Sequence, residues 1–233
     1  MAFQLGEHGS SIVTAARRAF GYRRGPAMTR GRLITIEGVD GAGKSTLAAG
    51  IVTALASRGI EVTSLREPGS VQTAERIRAL VKDPGARIAA RSEALLYAAA
   101  RAQLVQEALE PLLVRGRLVL LDRFVDSSLA YQGAGRRLGI AAVRAVNEFA
   151  TGGLAPDRTL LLVLDPATAR ARSASRDLPP DRLEQGGDEF FERIAAAYDQ
   201  LAASEPDRFR RLDASRRPDL VLADALAAID DLL

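Results

Sequence analysis

LITIEGVDGAGKSTL, running from Leu33 to Leu47, decides how the rest of the chain is read. Leu33-Ile34-Thr35-Ile36 is apolar and β-branched, with the length of a buried strand. It runs directly into Gly38, four residues, then Gly43-Lys44-Ser45, the spacing G-x-x-x-x-G-K-[ST] of a phosphate-binding loop between a strand and a helix. The glycines let the backbone turn tightly, and successive N–H groups with the N-terminus of the next helix make an anion nest. Gly38, Val39, Asp40, Gly41, Ala42, Gly43, Lys44, Ser45 and Thr46 are therefore read as the nucleoside triphosphate site. Lys44 is expected to reach the outer phosphates, and Ser45 to offer its hydroxyl to Mg²⁺. The motif specifies a nucleoside triphosphate without specifying what is done with it.

Working outward, 233 residues suit one α/β domain, with room for a small lid. Hydrophobic residues make up 47%, enough for a sizeable core. A net charge of +3 is too mild to argue for a nucleic-acid partner, although the pI is near 9.7. The basic residues are nearly all arginine, Lys44 and Lys82 being the only lysines, and the accompanying alanine richness reads as a compositional habit. There is no cysteine, which excludes disulfides and thiol catalysis. No apolar run approaches a membrane span, so no membrane partner is expected, and a cytoplasmic location is. Residues 1–31 stand apart as a basic extension, with five arginines against the single acid Glu7. Their arginine-rich, acid-poor make-up is like that of a transit peptide, but a poorly packed extension is the preferred reading, with Met28 a second candidate start.

After the phosphate loop the pattern alternates. Helices are expected at Lys44–Ser57, 72–82, about Arg91–Leu113 (kinked at Pro111), Asp126–Gln132, Ile140–Ala150, from Pro166, at Glu189–Ala203 and over 219–232. Strands are expected at Glu61–Leu65, Leu118–Leu121, Thr159–Leu164 and Phe209–Leu212. Such alternation predicts a three-layer α/β fold of the phosphate-loop type: a parallel sheet of about five strands, helices on both faces, and a lid. Ligands of such sheets bind outside the carboxyl ends of the strands. Arg66-Glu67, Asp122-Arg123, Asp165 and Asp213 fall there with the loop, and are expected to converge on one site.

At this point the chain resembles the bacterial thymidylate kinases, from about Leu33 to its end. The resemblance rests on EGVDGAGKST (Glu37–Thr46), REPG (Arg66–Gly69), LLYAAARAQL (Leu95–Leu104), DRFVDSSLAYQG (Asp122–Gly133) and DRLEQ (Asp181–Gln185). It implies a nucleoside monophosphate kinase domain over 32–233 with its lid near 170–187. It also implies ATP- and Mg²⁺-dependent transfer of a phosphoryl group to thymidine 5′-monophosphate for dTTP synthesis, by a homodimer. The lone histidine, His8, lies in the extension. That is compatible with this chemistry, because an ionised phosphate acceptor needs no general base.

Carried over position by position, Arg123 would hold the acceptor phosphate and Asp122 the metal. Asp40 would face the acceptor's 3′-hydroxyl or the metal. Tyr97 would stack on thymine, while Arg101, Ser128 and Gln132 would bond its edge. Pro68, beside Glu67, would line the methyl pocket, Tyr131 would exclude a 2′-hydroxyl, and Arg78 would assist the phosphate. Some family members carry a catalytic arginine in the phosphate loop and others in the lid. Here Gly41 follows Asp40, so the lid type is expected, with Arg172 and Arg176 first and Arg182 next. Two departures stand out: Ser70-Val71 after REPG, where relatives usually have Gly-Thr, and Pro179-Pro180 in the lid. The competing functions are a kinase of another nucleotide or nucleoside on the same fold, and a non-catalytic nucleotide-gated binding module.

Overall fold

The structure is a computed structural model and describes residues 30–174, 182–183 and 186–233. Five strands form one parallel sheet: β1 (Leu33–Glu37), β2 (Val62–Arg66), β3 (Leu118–Asp122), β4 (Arg158–Val163) and β5 (Phe209–Asp213), in the order β2-β3-β1-β4-β5. The phosphate-loop strand is central, with two strands on either side. Its five residues are all buried, because successive side chains point to opposite faces and both faces are covered. Ile34 and Ile36 enter one core cluster and Leu33 the other. Leu120 divides from Val119 and Leu121 in the same way. Thr35, a polar side chain in the middle of β1, is satisfied by the Thr159 hydroxyl of β4 at 2.8 Å.

The larger core lies between the sheet and α1 (Lys44–Ser57), α8 (Asp188–Ser204) and α9 (Pro218–Ile229). The smaller is closed by Leu104, Val105, Leu109 and Leu113. Those four come from the long stretch expected to be one kinked helix. It is α3 (Ala90–Leu104), a π-helical turn at Val105–Leu109, and α4 (Glu110–Val114). Pro111 sits in the first turn of α4, and the wider turn ahead of it accommodates a residue that has no N–H to give. A second π-helical segment, Leu129–Gly135, continues α5 (Val125–Ser128) and carries Tyr131 and Gln132. The remaining elements are α2 (Gln72–Lys82), α6 (Ile140–Thr151), α7 (Pro166–Ala174) and a 3₁₀ turn at Asp230–Leu232 that continues α9. The other expected elements lie within a residue or two of their sequence-based bounds. The extension up to Thr29 and half of the expected lid, residues 175–181 and 184–185, lie outside the described residues.

Candidate active site

A cavity of about 750 Å³ opens at the carboxyl edge of the sheet, with the phosphate loop at its centre. Strand order divides its walls. Glu67 and Pro68 after β2, Asp122 at the end of β3, Arg123, Ser127, Tyr131 and Gln132 after it, and Arg78 and Tyr97 from neighbouring helices lie to one side of the loop. Ala214, Arg216 and Pro218, after β5, lie to the other.

The loop closes on itself through Lys44. Its ammonium donates to the carbonyls of Val39 at 2.9 Å and Gly38 at 3.1 Å, and burial and then Arg123 push its pKa down to about 8. Gly38 and Gly41 have φ of +137° and +83°, and a Cβ at Gly41 would stand 2.1 Å from the Ala169 carbonyl of α7. Position 41 therefore has neither the backbone conformation nor the space for a side chain. The Ser45 hydroxyl donates to Asp122 Oδ2 at 3.1 Å, whose companion Oδ1 is buried with no hydrogen-bond partner among the described residues.

Arg123 is reached from β3 with φ 70°, a left-handed conformation uncommon outside glycine. One of its terminal nitrogens donates to Ser127 Oγ at 3.0 Å and to the Gly38 carbonyl at 3.2 Å. The other donates to Asp40 at 2.5 Å and lies 3.1 Å from the Tyr131 hydroxyl. The guanidinium also sits 4.9 Å from the centre of the Tyr131 ring. Tyr131 donates to the second Asp40 oxygen at 2.7 Å, and burial keeps its hydroxyl protonated. Burial alone would raise the Asp40 pKa, but Arg123 and Lys44 outweigh it and hold the carboxyl well below the usual range. Lys44 and Arg123, from different elements, thus meet at one carbonyl oxygen, that of Gly38.

The REPG turn is fixed by local bonds. Arg78 donates to the Pro68 carbonyl at 2.8 Å, and Ser70 adopts φ 69°. A glycine would take that conformation without strain; here the Ser70 hydroxyl accepts from Arg66 N at 2.8 Å and its N–H donates to Glu75 at 2.7 Å.

The expected base contacts are rearranged. Tyr97 and Gln132 do line the cavity. Arg101 does not: it is 1% exposed, and its five N–H groups are spent on Glu67, Ser128, Asn147 and the Phe124 carbonyl. Arg101 and Ser128, expected at the base edge, lie in a buried network behind the wall, where protein groups meet the donor capacity of the guanidinium. Arg182 is not among the residues that line the cavity. It pairs with the fully buried Glu93 at 2.7 Å and donates to the Val81 carbonyl at 3.1 Å, and Gln132 Nε2 donates to the same Glu93 at 2.8 Å. Arg172 lines the cavity and donates to the Ala214 carbonyl at 2.9 Å. Arg176 lies outside the described residues. Asp165 and Asp213 are not part of the site: Asp165 accepts from Ala167 N and Thr168 N, and Asp213 from Ser215, as turn formers do.

Sequence reasoning did not single out Arg216, which lines the cavity. Its signal was available in the polar turn directly after β5, at the productive end of the sheet. Nor did it separate Glu37 from the motif that contains it.

No cluster of three or more His, Cys, Asp or Glu able to hold a metal occurs among the described residues. The donor set that is present, one hydroxyl and one carboxylate with an unpartnered buried oxygen, fits Mg²⁺, which keeps several waters and takes few protein oxygens.

A phosphate loop on the central strand of a parallel β2-β3-β1-β4-β5 sheet, faced by an arginine across one cleft, defines a phosphotransferase of the phosphate-loop class. A thymidylate kinase family model matches residues 36–225. The thymidylate kinase of Deinococcus radiodurans is 47% identical over 204 residues, covering 88% of this chain and 98% of its own. That of Leifsonia xyli is 47% identical over 205 residues, covering 88% and 97%. A crystal structure of thymidylate kinase from Ehrlichia chaffeensis superposes with TM-score 0.71 at 23% identity, covering 88% of this chain and all of that one, and shares the fold. The chain belongs to the thymidylate kinase family.

Proposed function

We propose that this protein transfers the terminal phosphoryl group of ATP to thymidine 5′-monophosphate, giving thymidine diphosphate. The observation that carries the reading is the meeting of Lys44 and Arg123 at the Gly38 carbonyl, one cation on the donor side and one on the acceptor side. Between them two negatively charged phosphates can be brought in line, and their repulsion neutralised.

On the donor side, the loop N–H groups from Gly38 to Thr46 would cradle the phosphates while Lys44 meets the outer ones. Ser45 and Asp122 would hold Mg²⁺, which supplies neutralisation of the phosphate oxygens when bound. The wall from Ala214 to Leu222 would receive the nucleoside of ATP. On the acceptor side, Arg123 would grip the monophosphate, Tyr97 would stack on the base, Gln132 would meet its edge, and Pro68 would face its methyl group. Arg101, donating to Ser128 on one side, would act on the base from behind by fixing Glu67. Asp40, ionised, would accept from the 3′-hydroxyl, and Tyr131 would fill the space of a 2′-hydroxyl. No proton need be removed from the acceptor, because the attacking oxygen already carries charge.

Since Gly41 leaves no room for a cation in the loop, further charge would come from Arg172 and Arg176. Arg182, held by Glu93, would fasten the lid to the base side of the cleft. A cytoplasmic homodimer is the expected setting; no described helix is long and apolar enough to cross a membrane. A coupled assay across nucleoside monophosphates tests the reading. Turnover should be greatest with thymidine monophosphate. Rapid use of adenosine or guanosine monophosphate with none of thymidine monophosphate would point to another kinase of this fold, and binding of ATP with no turnover on any acceptor would point to a binding module.

A further inference from the structure

Beneath Arg123 lies a carboxylate that the phosphoryl-transfer reading does not use. Glu37, the last residue of β1, is fully buried. Its Oε1 accepts from the backbone N–H of Phe124 at 2.8 Å and of Ser127 at 3.3 Å. Its Oε2 accepts from Ser127 Oγ at 2.6 Å and from the Tyr198 hydroxyl of α8 at 2.9 Å. Burial, then the neighbouring Asp126, push its pKa up to about 7, against the opposing pull of Ser127 and Arg123. A core carboxylate at that cost is unneeded for packing alone, since an apolar residue would fill the space.

The arrangement acts on one neighbour. Ser127 has one hydroxyl proton, and Glu37 takes it. The lone pairs of Ser127 Oγ are thereby turned outward, where Arg123 donates to them at 3.0 Å. The other oxygen of Glu37 holds the backbone just after Arg123, whose own N–H is tied to the Ile36 carbonyl at 3.0 Å. Side chain and turn are both fixed from the same carboxylate. Tyr198 lies 3.0 Å from Ser127 Oγ as well, so α8, the helix that follows the lid, completes the support.

We propose that Glu37 and Tyr198 are positioning residues that act through Ser127 to fix the Arg123 guanidinium in its working direction. The proposal rests on the reading of Arg123 as the group that grips the acceptor phosphate. Glu37→Gln keeps the shape but puts an amide that donates where an oxygen must accept, reversing the Ser127 hydroxyl. Tyr198→Phe removes one supporting bond and leaves the core apolar.

The test is a double-mutant cycle at pH about 8, where Glu37 is ionised. Glu37→Gln should lower kcat/KM for thymidine monophosphate by about ten-fold or more, and Tyr198→Phe by about three-fold, with KM for ATP unchanged. In an Arg123→Ala background both effects should fall below about two-fold. A second readout needs no substrate: separate Arg123 guanidinium signals in the NMR spectrum of the parent, showing slow rotation, should average in Glu37→Gln. The proposal is overturned if the full losses persist without Arg123, if folded variants turn over like the parent, or if the guanidinium signals stay separate. Should Glu37→Gln not fold, the Tyr198→Phe cycle and its spectrum decide. Absence of turnover of thymidine monophosphate by the parent would instead strike the substrate reading, leaving the NMR result to stand by itself.

Discussion

Replacing Arg101 with methionine removes a buried guanidinium while roughly keeping its volume. In the folded protein the change strands Glu67, Ser128, Asn147 and the Phe124 carbonyl. Glu67 is the costly one: it is 5% exposed, and its Oε1 already has no hydrogen-bond partner among the described residues. Breaking a buried ion pair from one side costs about 3–5 kcal/mol. At about 2–4 °C per kcal/mol for a chain of this size, Tm should fall by roughly 6–20 °C. The loss also has a pH signature. Burial raises the Glu67 pKa above its ordinary 4.5 even against the pull of Arg101, and without Arg101 it must rise further. A carboxyl whose folded pKa exceeds its unfolded value contributes its stability below the unfolded value and loses it as pH rises through the folded one. The gap between parent and variant should therefore be widest near neutral pH and narrow on acidification toward 4.5. Urea denaturation followed by circular dichroism at both pH values measures it. A loss under about 1 kcal/mol at neutral pH, the size of an exposed pair, or a gap that does not narrow in acid, would refute the account.

Three other outcomes follow from the same geometry. With Lys44 pushed down to about 8, ATP binding measured by calorimetry should weaken as pH rises through that value, because the lysine that meets the phosphates loses its charge; a flat profile would remove Lys44 from the contact. Tyr131→Ala should narrow the ratio of kcat/KM between deoxyribose and ribose monophosphates by about ten-fold or more, since the ring fills the space a 2′-hydroxyl needs; an unchanged ratio would locate the discrimination elsewhere. Alanine at Arg172 and Arg176 together should lower kcat by roughly 10³-fold or more while leaving thymidine monophosphate affinity within about three-fold; parent-like turnover would move the extra charge out of the lid.

What the sequence disclosed was local. The phosphate loop, the apolar strands and the polar strand ends are each written in consecutive residues, and the sheet then brings them to one edge. What it withheld depends on packing between distant segments. Tyr97 and Arg101, four apart, are marked as one helical stretch, but only the burial of α3 decides that Tyr97 lines the cleft and Arg101 sinks behind it. Glu37 and Tyr198 meet across 161 positions, a pairing no spacing rule can find. The π-helical turns carry no residue signature of their own, so α3 and α4 read as one kinked helix. The left-handed Arg123 is equally silent, because arginine gives no hint of that conformation in the way glycine would.

The close approach of Gly41 to α7 bears on how such enzymes can change over generations. Adding a side chain at position 41 means a collision with the Ala169 carbonyl and a backbone conformation that disfavours it. A lineage with this loop cannot add a cation at residue 41 by a point substitution, however favourable the charge. The helix behind the loop would have to withdraw first, and that same helix carries Arg172. The two ways of supplying charge are thus alternative settlements separated by a valley in which neither cation is in place, and residue 41 and the backbone of α7 should be inherited together.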